Sequence, residues 1–303
     1  MDWWCSSSPR NWTWSPSPYI GAWAILLSVV GVAVWWRTKG RHQEVVLDAR
    51  QEVLLAQGSG TYASSGASRA VAFGFGIVGL WATLDWPLAA LGAGYLATAQ
   101  MVRQILMVMV VAPLLLYSVP GPLAVRLVGW GKRLWVLRWT ARPIIAIPVA
   151  ALTLIAVNAP AVLDPLVKTP YGSFVLDLMW ITAGFVLWMP VQCPHPAVKR
   201  LVGPAALTYL VLQSVVPVLP GFFMTWADYP IYEVYELAPR AIDGFDAIND
   251  QQAAAAILQV GGMVVLWVQI SFRFLNWAYK QMEEDRRGSS RGKPIAGAAV
   301  GAP

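Results

Sequence analysis

The sequence predicts an all-α polytopic membrane protein: a bundle of seven transmembrane helices, N-terminus outside and C-terminus cytoplasmic. Three observations carry that expectation. Of 303 residues, 57% are hydrophobic and only 13% charged, against about 25% charged in an average soluble domain; such a chain cannot cover a water-facing surface with polar groups. Seven apolar runs come at or near the roughly 20 residues a helix needs to cross ~30 Å of hydrocarbon. The basic residues between those runs fall almost entirely on one side.

The expected spans are residues 19–36, 70–84, 95–117, 143–158, 172–188, 201–219 and 251–274. The second and fourth are short and need a turn from their flanks to cross. Residues 1–282 form a single transmembrane domain, and 283–303, charged and then Gly/Ala-rich, form a disordered cytoplasmic tail. The first span does not read as a cleaved signal peptide. Arg10 is the single basic residue before it, and no small-residue cleavage motif follows Trp36. Many of the 17 Trp and 10 Tyr lie near span ends, as interfacial anchors do.

Orientation follows from charge. Arg37, Lys39, Arg41 and Arg50 separate spans one and two, and Arg126, Lys132, Arg133, Arg138 and Arg142 separate three and four. Lys199 and Arg200 separate five and six, and the tail carries Lys280, Arg286, Arg287, Arg291 and Lys293. Those sixteen share one side; Arg10, Lys168 and Arg240 are the three on the other. The positive-inside rule makes the rich side cytoplasmic. An even span count would split the basic loops and the basic tail between the two sides.

The loops add detail. Residues 37–69 combine mixed charge with a Gly/Ser-rich joint, 58–68. Residues 123–142 interleave basic side chains with Leu, Val and Trp. This fits a basic helix on the anionic inner leaflet, although topological charge alone gives the same bias. The outer loop 220–250 has Asp228, Glu233, Glu236, Asp243, Asp246 and Asp250 against Arg240, and its default state is solvated.

Most catalytic chemistry is excluded. The chain has no Gly-rich phosphate loop, no Cys-x-x-Cys and no His-Glu-x-x-His. Topology accounts for the net charge of +6 without nucleic acid. Cys5 and Cys193 fall on opposite faces and cannot pair, and His42 and His195 are too few for a His-rich metal or haem site. The chain is not expected to be an enzyme, and no cofactor is predicted.

One polar constellation remains. Arg103 sits in the apolar third span, where an ionisable group is costly and a functional-site candidate by default. Gln100 and Gln104, one helical turn apart, flank it. Asn158 closes span four, Ser173 and Asp177 open span five, and Asp250 and Gln251 open span seven, all at the outer side. The functional reading is a periplasm-facing pocket in which Asp177 pairs with Arg103. The competing reading has Arg103 snorkelling to the outer surface and Asp250 serving as an ordinary N-cap. Met101, Met107, Met109 and Met179 are soft ligands suited to monovalent copper, and equally ordinary core packing.

Several strings, in this order, resemble the seven-span CtaG-type cytochrome c oxidase assembly factors of bacteria. They are Trp12-Thr13-Trp14-Ser15-Pro16; Met107 through Leu116 followed by Pro120; Ala183-Gly184-Phe185-Val186-Leu187-Trp188-Met189-Pro190; and Tyr232, Tyr235, Asp250-Gln251-Gln252, Phe274 and Trp277. The resemblance implies a bacterial plasma-membrane assembly or accessory factor that works with an oxidase and is associated with copper delivery. It also implies outer-end histidines on spans three, four and five. Those places here hold Gln100, Gln104, Asn158, Ser173 and Asp177. The expectation is therefore a divergent member without the histidine copper site. The alternatives are a copper handler using Met and Asp ligands, and a stable subunit of a respiratory or photosynthetic complex. A transporter ranks last, because no two-fold repeat is evident.

Overall fold

The structure, a computed structural model, describes residues 12–16, 20–40, 66–216, 218–242 and 244–291. Cys5, His42, most of the first inner loop and the end of the tail lie outside them. Among the described residues every regular element is helical.

Helix α1, Ile20–Trp35, runs into a π-helical turn, Trp36–Gly40. Helix α2 is Gly66–Leu84, and a short α3, Leu88–Gly94, follows it. The third span, α4, covers Ala97–Ser118 with a π-helical stretch at Leu106–Val111. It stops before Val119 and Pro120, both extended, because a residue preceding proline is pushed out of helical geometry. On the next connection lie α5, Gly121–Val128, and α6, Lys132–Thr140. Helix α7, Pro143–Asn158, starts on a proline at its first position and ends two residues before Pro160, which opens α8, Pro160–Val167. The fifth span is α9, Pro170–Gln192, capped by the Thr169 hydroxyl accepting from the Gly172 amide at 3.0 Å.

Two further spans complete the bundle. The sixth is broken into α10, Gly203–Gln213, and α11, Val218–Trp226, around the proline at 217. After a one-turn α12, Glu233–Glu236, the last helix α13 runs Ala247–Ala256, a π turn Ile257–Gly261, and Gly262–Arg291. It is thus helical well past residue 283, where the sequence reading begins a disordered tail.

Among the described residues six helices are long and apolar enough to cross a membrane, and a seventh counts if α6 and α7, bent by 80° at their junction, are taken together. Alone, α7 spans roughly 24 Å at 1.5 Å per residue, short of the hydrocarbon thickness. The chain is an all-α, multi-pass membrane protein.

The centre of the bundle is α4. It packs against α2, α3, α9 and α13, while α1 stands at the periphery on α2. Small residues allow the close approaches. A Cβ on Gly184 of α9 would lie 2.8 Å from Ala112 Cβ, and one on Gly172 would lie 2.2 Å from the Leu166 carbonyl oxygen of α8. The π stretch of α4 is supported from outside: Trp188 Nε1 donates to the Val108 carbonyl at 2.9 Å. Pro190 disturbs the ladder of α9, and nearby Leu187 O accepts from Tyr209 Oη at 2.7 Å and Gln213 Nε2 at 2.5 Å.

Candidate functional site

Arg103 lies in the second turn of α4 with 1% of its surface exposed. It does not snorkel. Its guanidinium is spent on three acceptors: Nε donates to Thr83 O at 2.8 Å, Nη1 to Gln100 Oε1 at 2.8 Å, and Nη2 to Asp177 Oδ1 at 2.7 Å. Thr83 is in the last turn of α2, whose terminal carbonyls have no partner within the helix and carry the negative end of its dipole. One cation thus caps α2, holds a glutamine of its own helix and neutralises a carboxylate on α9. The face of Trp180, one turn beyond Asp177, lies 5.6 Å from Arg103 Cζ.

Gly92 of α3 admits this arrangement. A Cβ there would lie 2.7 Å from Gln100 Oε1 and 3.0 Å from Arg103 Cδ. The Gly92 carbonyl accepts from Tyr235 Oη at 2.7 Å, and the Asn158 carbonyl accepts from Tyr232 Oη at 2.8 Å. The two phenol rings meet edge to face at 5.9 Å. Burial pushes both hydroxyls well above the usual tyrosine range, so both remain protonated donors. The loop expected to be merely solvated therefore folds back as a cover. It is fastened further by Gln251, whose Oε1 accepts from Ile231 N at 2.7 Å and whose Nε2 donates to Met224 O at 3.1 Å and Tyr229 O at 3.3 Å. At its exposed edge Lys168 pairs with Glu233 at 2.6 Å.

Asp250 corrects the sequence expectation. The N-cap of α13 is Asp246, whose side chain accepts from Asn249 N at 2.7 Å. Asp250, a turn further on, caps a different helix: its carboxylate accepts from Ala97 N at 2.6 Å and Thr98 N at 3.0 Å, while Thr98 Oγ1 donates to Asp250 O at 3.0 Å. The first residue before α4, Leu96, offers no side-chain cap, so the acid of α13 supplies it.

Gln100, Arg103 and Asp177 are thus joined directly. Asn158 is tied in through the tyrosine cover, and Asp250 and Gln251 anchor its borders. Gln104 Oε1, Asn158 Oδ1, Ser173 Oγ and Asp177 Oδ2 are buried without a hydrogen-bond partner among the described residues. Ser173, Asp177 and Trp180 share one face of α9 by their spacing. Thr83, Gly92 and Trp180 were not singled out from the sequence, since backbone carbonyls and a glycine leave no pattern there; Tyr232 and Tyr235 entered only through the family resemblance, in a loop read as solvated.

As a metal centre the donor set is poor. Among the described residues no three His, Cys, Asp or Glu side chains gather. His195 is near the other end of the bundle, its Nδ1 accepting from Ala197 N at 3.2 Å and its ring 5.3 Å from Trp130. Met107 and Met109 are both buried in α4, two residues apart and therefore on different sides of the helix.

Fold and site together define a multi-pass helical membrane protein whose polar centre is a buried ion pair under a tyrosine-pinned cover. Residues 53–280 match the family described as cytochrome c oxidase caa3 assembly factor (Caa3_CtaG), and the chain belongs to that family. No curated protein and no solved structure matches it. Membership assigns the chain a role in cytochrome c oxidase assembly, among membrane-protein partners.

Proposed function

We propose that this chain supports oxidase biogenesis as a non-enzymatic factor in the bacterial plasma membrane, acting through contacts with an oxidase subunit and without a histidine-type copper site. The charge asymmetry supports an N-terminus outside, which sets the cluster at the periplasmic side. The observation that carries the reading is the ion pair itself: Arg103 and Asp177 stand 2.7 Å apart, 1% and 4% exposed. A fixed cation at the centre of the cluster repels a copper ion. The atoms left open are amide, hydroxyl and carboxylate oxygens, hard donors ill matched to monovalent copper. The cluster then serves to hold the outer ends of α2, α4, α9 and α13 in one shape for a partner to recognise.

The test is a mild-detergent pull-down of the full chain from native membranes, with partners identified and copper counted. An enriched oxidase subunit with copper far below one per chain is expected. Tight equimolar copper, lost on substituting Met101, Met107, Met109 or Asp177, would favour the copper-handling reading instead. Recovery at fixed stoichiometry with a mature respiratory or photosynthetic complex would make the chain a permanent subunit, and no membrane-complex partner at all would defeat the assembly reading.

A further inference from the structure

We propose that α6, together with Arg142, is a surface-lying helix that recognises anionic phospholipid headgroups, fixing the inner-leaflet end of the bundle to a negatively charged bilayer. The sequence left two explanations for its charge: a membrane-surface helix, or topology alone. The structure separates them because α6 has two apolar sides. Leu134, 3% exposed, Leu137 and Ala141 face inward on a small core with Cys193 and Val198. Trp135 at 68%, Val136 at 50% and Trp139 at 43% are exposed, and helical spacing puts them on the opposite side. Arg133 and Arg138 fall at the two borders between the sides, and Lys132 lies within the outward stripe. Charge placed only to orient the chain requires no outward pair of tryptophans. A helix whose second stripe sits at headgroup depth does, since indole is at home at that boundary.

Two further observations fix the geometry. Helix α6 turns 80° away from α7; with α7 and its flanking residues as the crossing segment, α6 lies close to the bilayer plane and adds no length to the span. The basic groups also meet no counter-charge among the described residues. From Pro87 to Leu163 the chain has no acidic residue. Lys132, Arg133, Arg138 and Arg142 make no ion pair among the described residues. The neighbouring inner loop adds Lys199 and Arg200 rather than counter-charge. The occupant that matches an apolar stripe bordered by cations with no ion pair among the described residues is an anionic lipid surface. This inference rests on the orientation set by charge and is independent of the oxidase role and of copper.

The full chain is reconstituted in nanodiscs of phosphatidylcholine with and without phosphatidylglycerol. A nitroxide is placed by Trp135→Cys in a Cys5→Ser background, Cys193 being buried. Enrichment of phosphatidylglycerol in protein-bound lipid is measured by native mass spectrometry for the parent and for Lys132→Gln/Arg133→Gln/Arg138→Gln. Each basic residue at an anionic surface is worth roughly a fivefold preference, so removing three should cut the enrichment by up to the order of 100-fold. The nitroxide should meet oxygen more than a water-soluble nickel complex. Nickel access typical of an exposed loop would overturn the proposal. So would a label hidden from both reagents, which would mean a protein neighbour, or equal enrichment in parent and variant, which would mean topological charge only.

Discussion

Asp177→Asn keeps the shape of the side chain opposite Arg103 and removes its charge. The guanidinium would remain buried, still donating to Thr83 O and Gln100 Oε1, with no anion to balance it. Two unit charges whose centres lie about 4 Å apart attract by roughly 4 kcal/mol at an effective dielectric near 20. Removing one partner of a buried pair costs about 3–5 kcal/mol in general. Because the amide oxygen of Asn can still accept from Nη2, a loss of about 3 kcal/mol is expected. Replacing both partners by apolar residues, Arg103→Met with Asp177→Leu, leaves no stranded charge. That double variant should cost less than the two single changes together, by at least ~2 kcal/mol of coupling. Reversible unfolding in mixed micelles, followed by helical signal, measures all four corners of the cycle. Additive costs, or an Asp177→Asn penalty below about 1 kcal/mol, would refute the account of Arg103 as a charge-balanced tie.

Asp250→Ala strips the cap from α4 and should destabilise the protein by about 1–2 kcal/mol, with Asp250→Asn much milder; equal effects for both would argue against capping. Cys193, whose thiol burial pushes up to about 11, should resist maleimide in the folded protein and label on denaturation. Burial holds the His195 imidazole below its ordinary 6.5, Arg138 adding to the effect against a hydrogen bond to Gly129. The unfolded chain therefore takes up a proton that the folded one refuses. This part of the stability is intact above the ordinary value and declines as pH falls below 6.5, and His195→Gln should flatten that decline in a melting-temperature series.

How far the sequence reached depended on whether a feature was local. The central spans were legible because length and apolar content are summed along the chain: α4 and α7 start and stop within a few residues of expectation. The depth shared by Arg103 and Asp177 was legible too, since span direction alone sets it. The second role of Asp250 was not. An acid in the first turn of a helix reads as serving that helix, and only the packing of α13 against α4 gives it another. The tyrosine cover was hidden for the same reason, since Tyr232 and Tyr235 find their acceptors on Asn158 and Gly92, far away in sequence. The break between α10 and α11 had a local sign, the proline at 217, which a count of apolar residues does not register.

The two ends of the bundle handle charge in opposite ways, and this bears on what each can do. At one end Arg103, Asp177 and Asp250 are consumed by partners inside the protein, so the cluster is locked and its outward face is the tyrosine cover with the exposed Lys168–Glu233 pair. At the other, Lys132, Arg133, Arg138 and Arg142 meet no acid among the described residues and are open to an external anion. A buried pair costs desolvation and fixes geometry, while exposed cations keep their attraction for whatever approaches. The internally paired end is suited to presenting one fixed shape, and the cationic end to holding the molecule against the membrane. An assembly factor that must meet its partner in a set orientation is served by both.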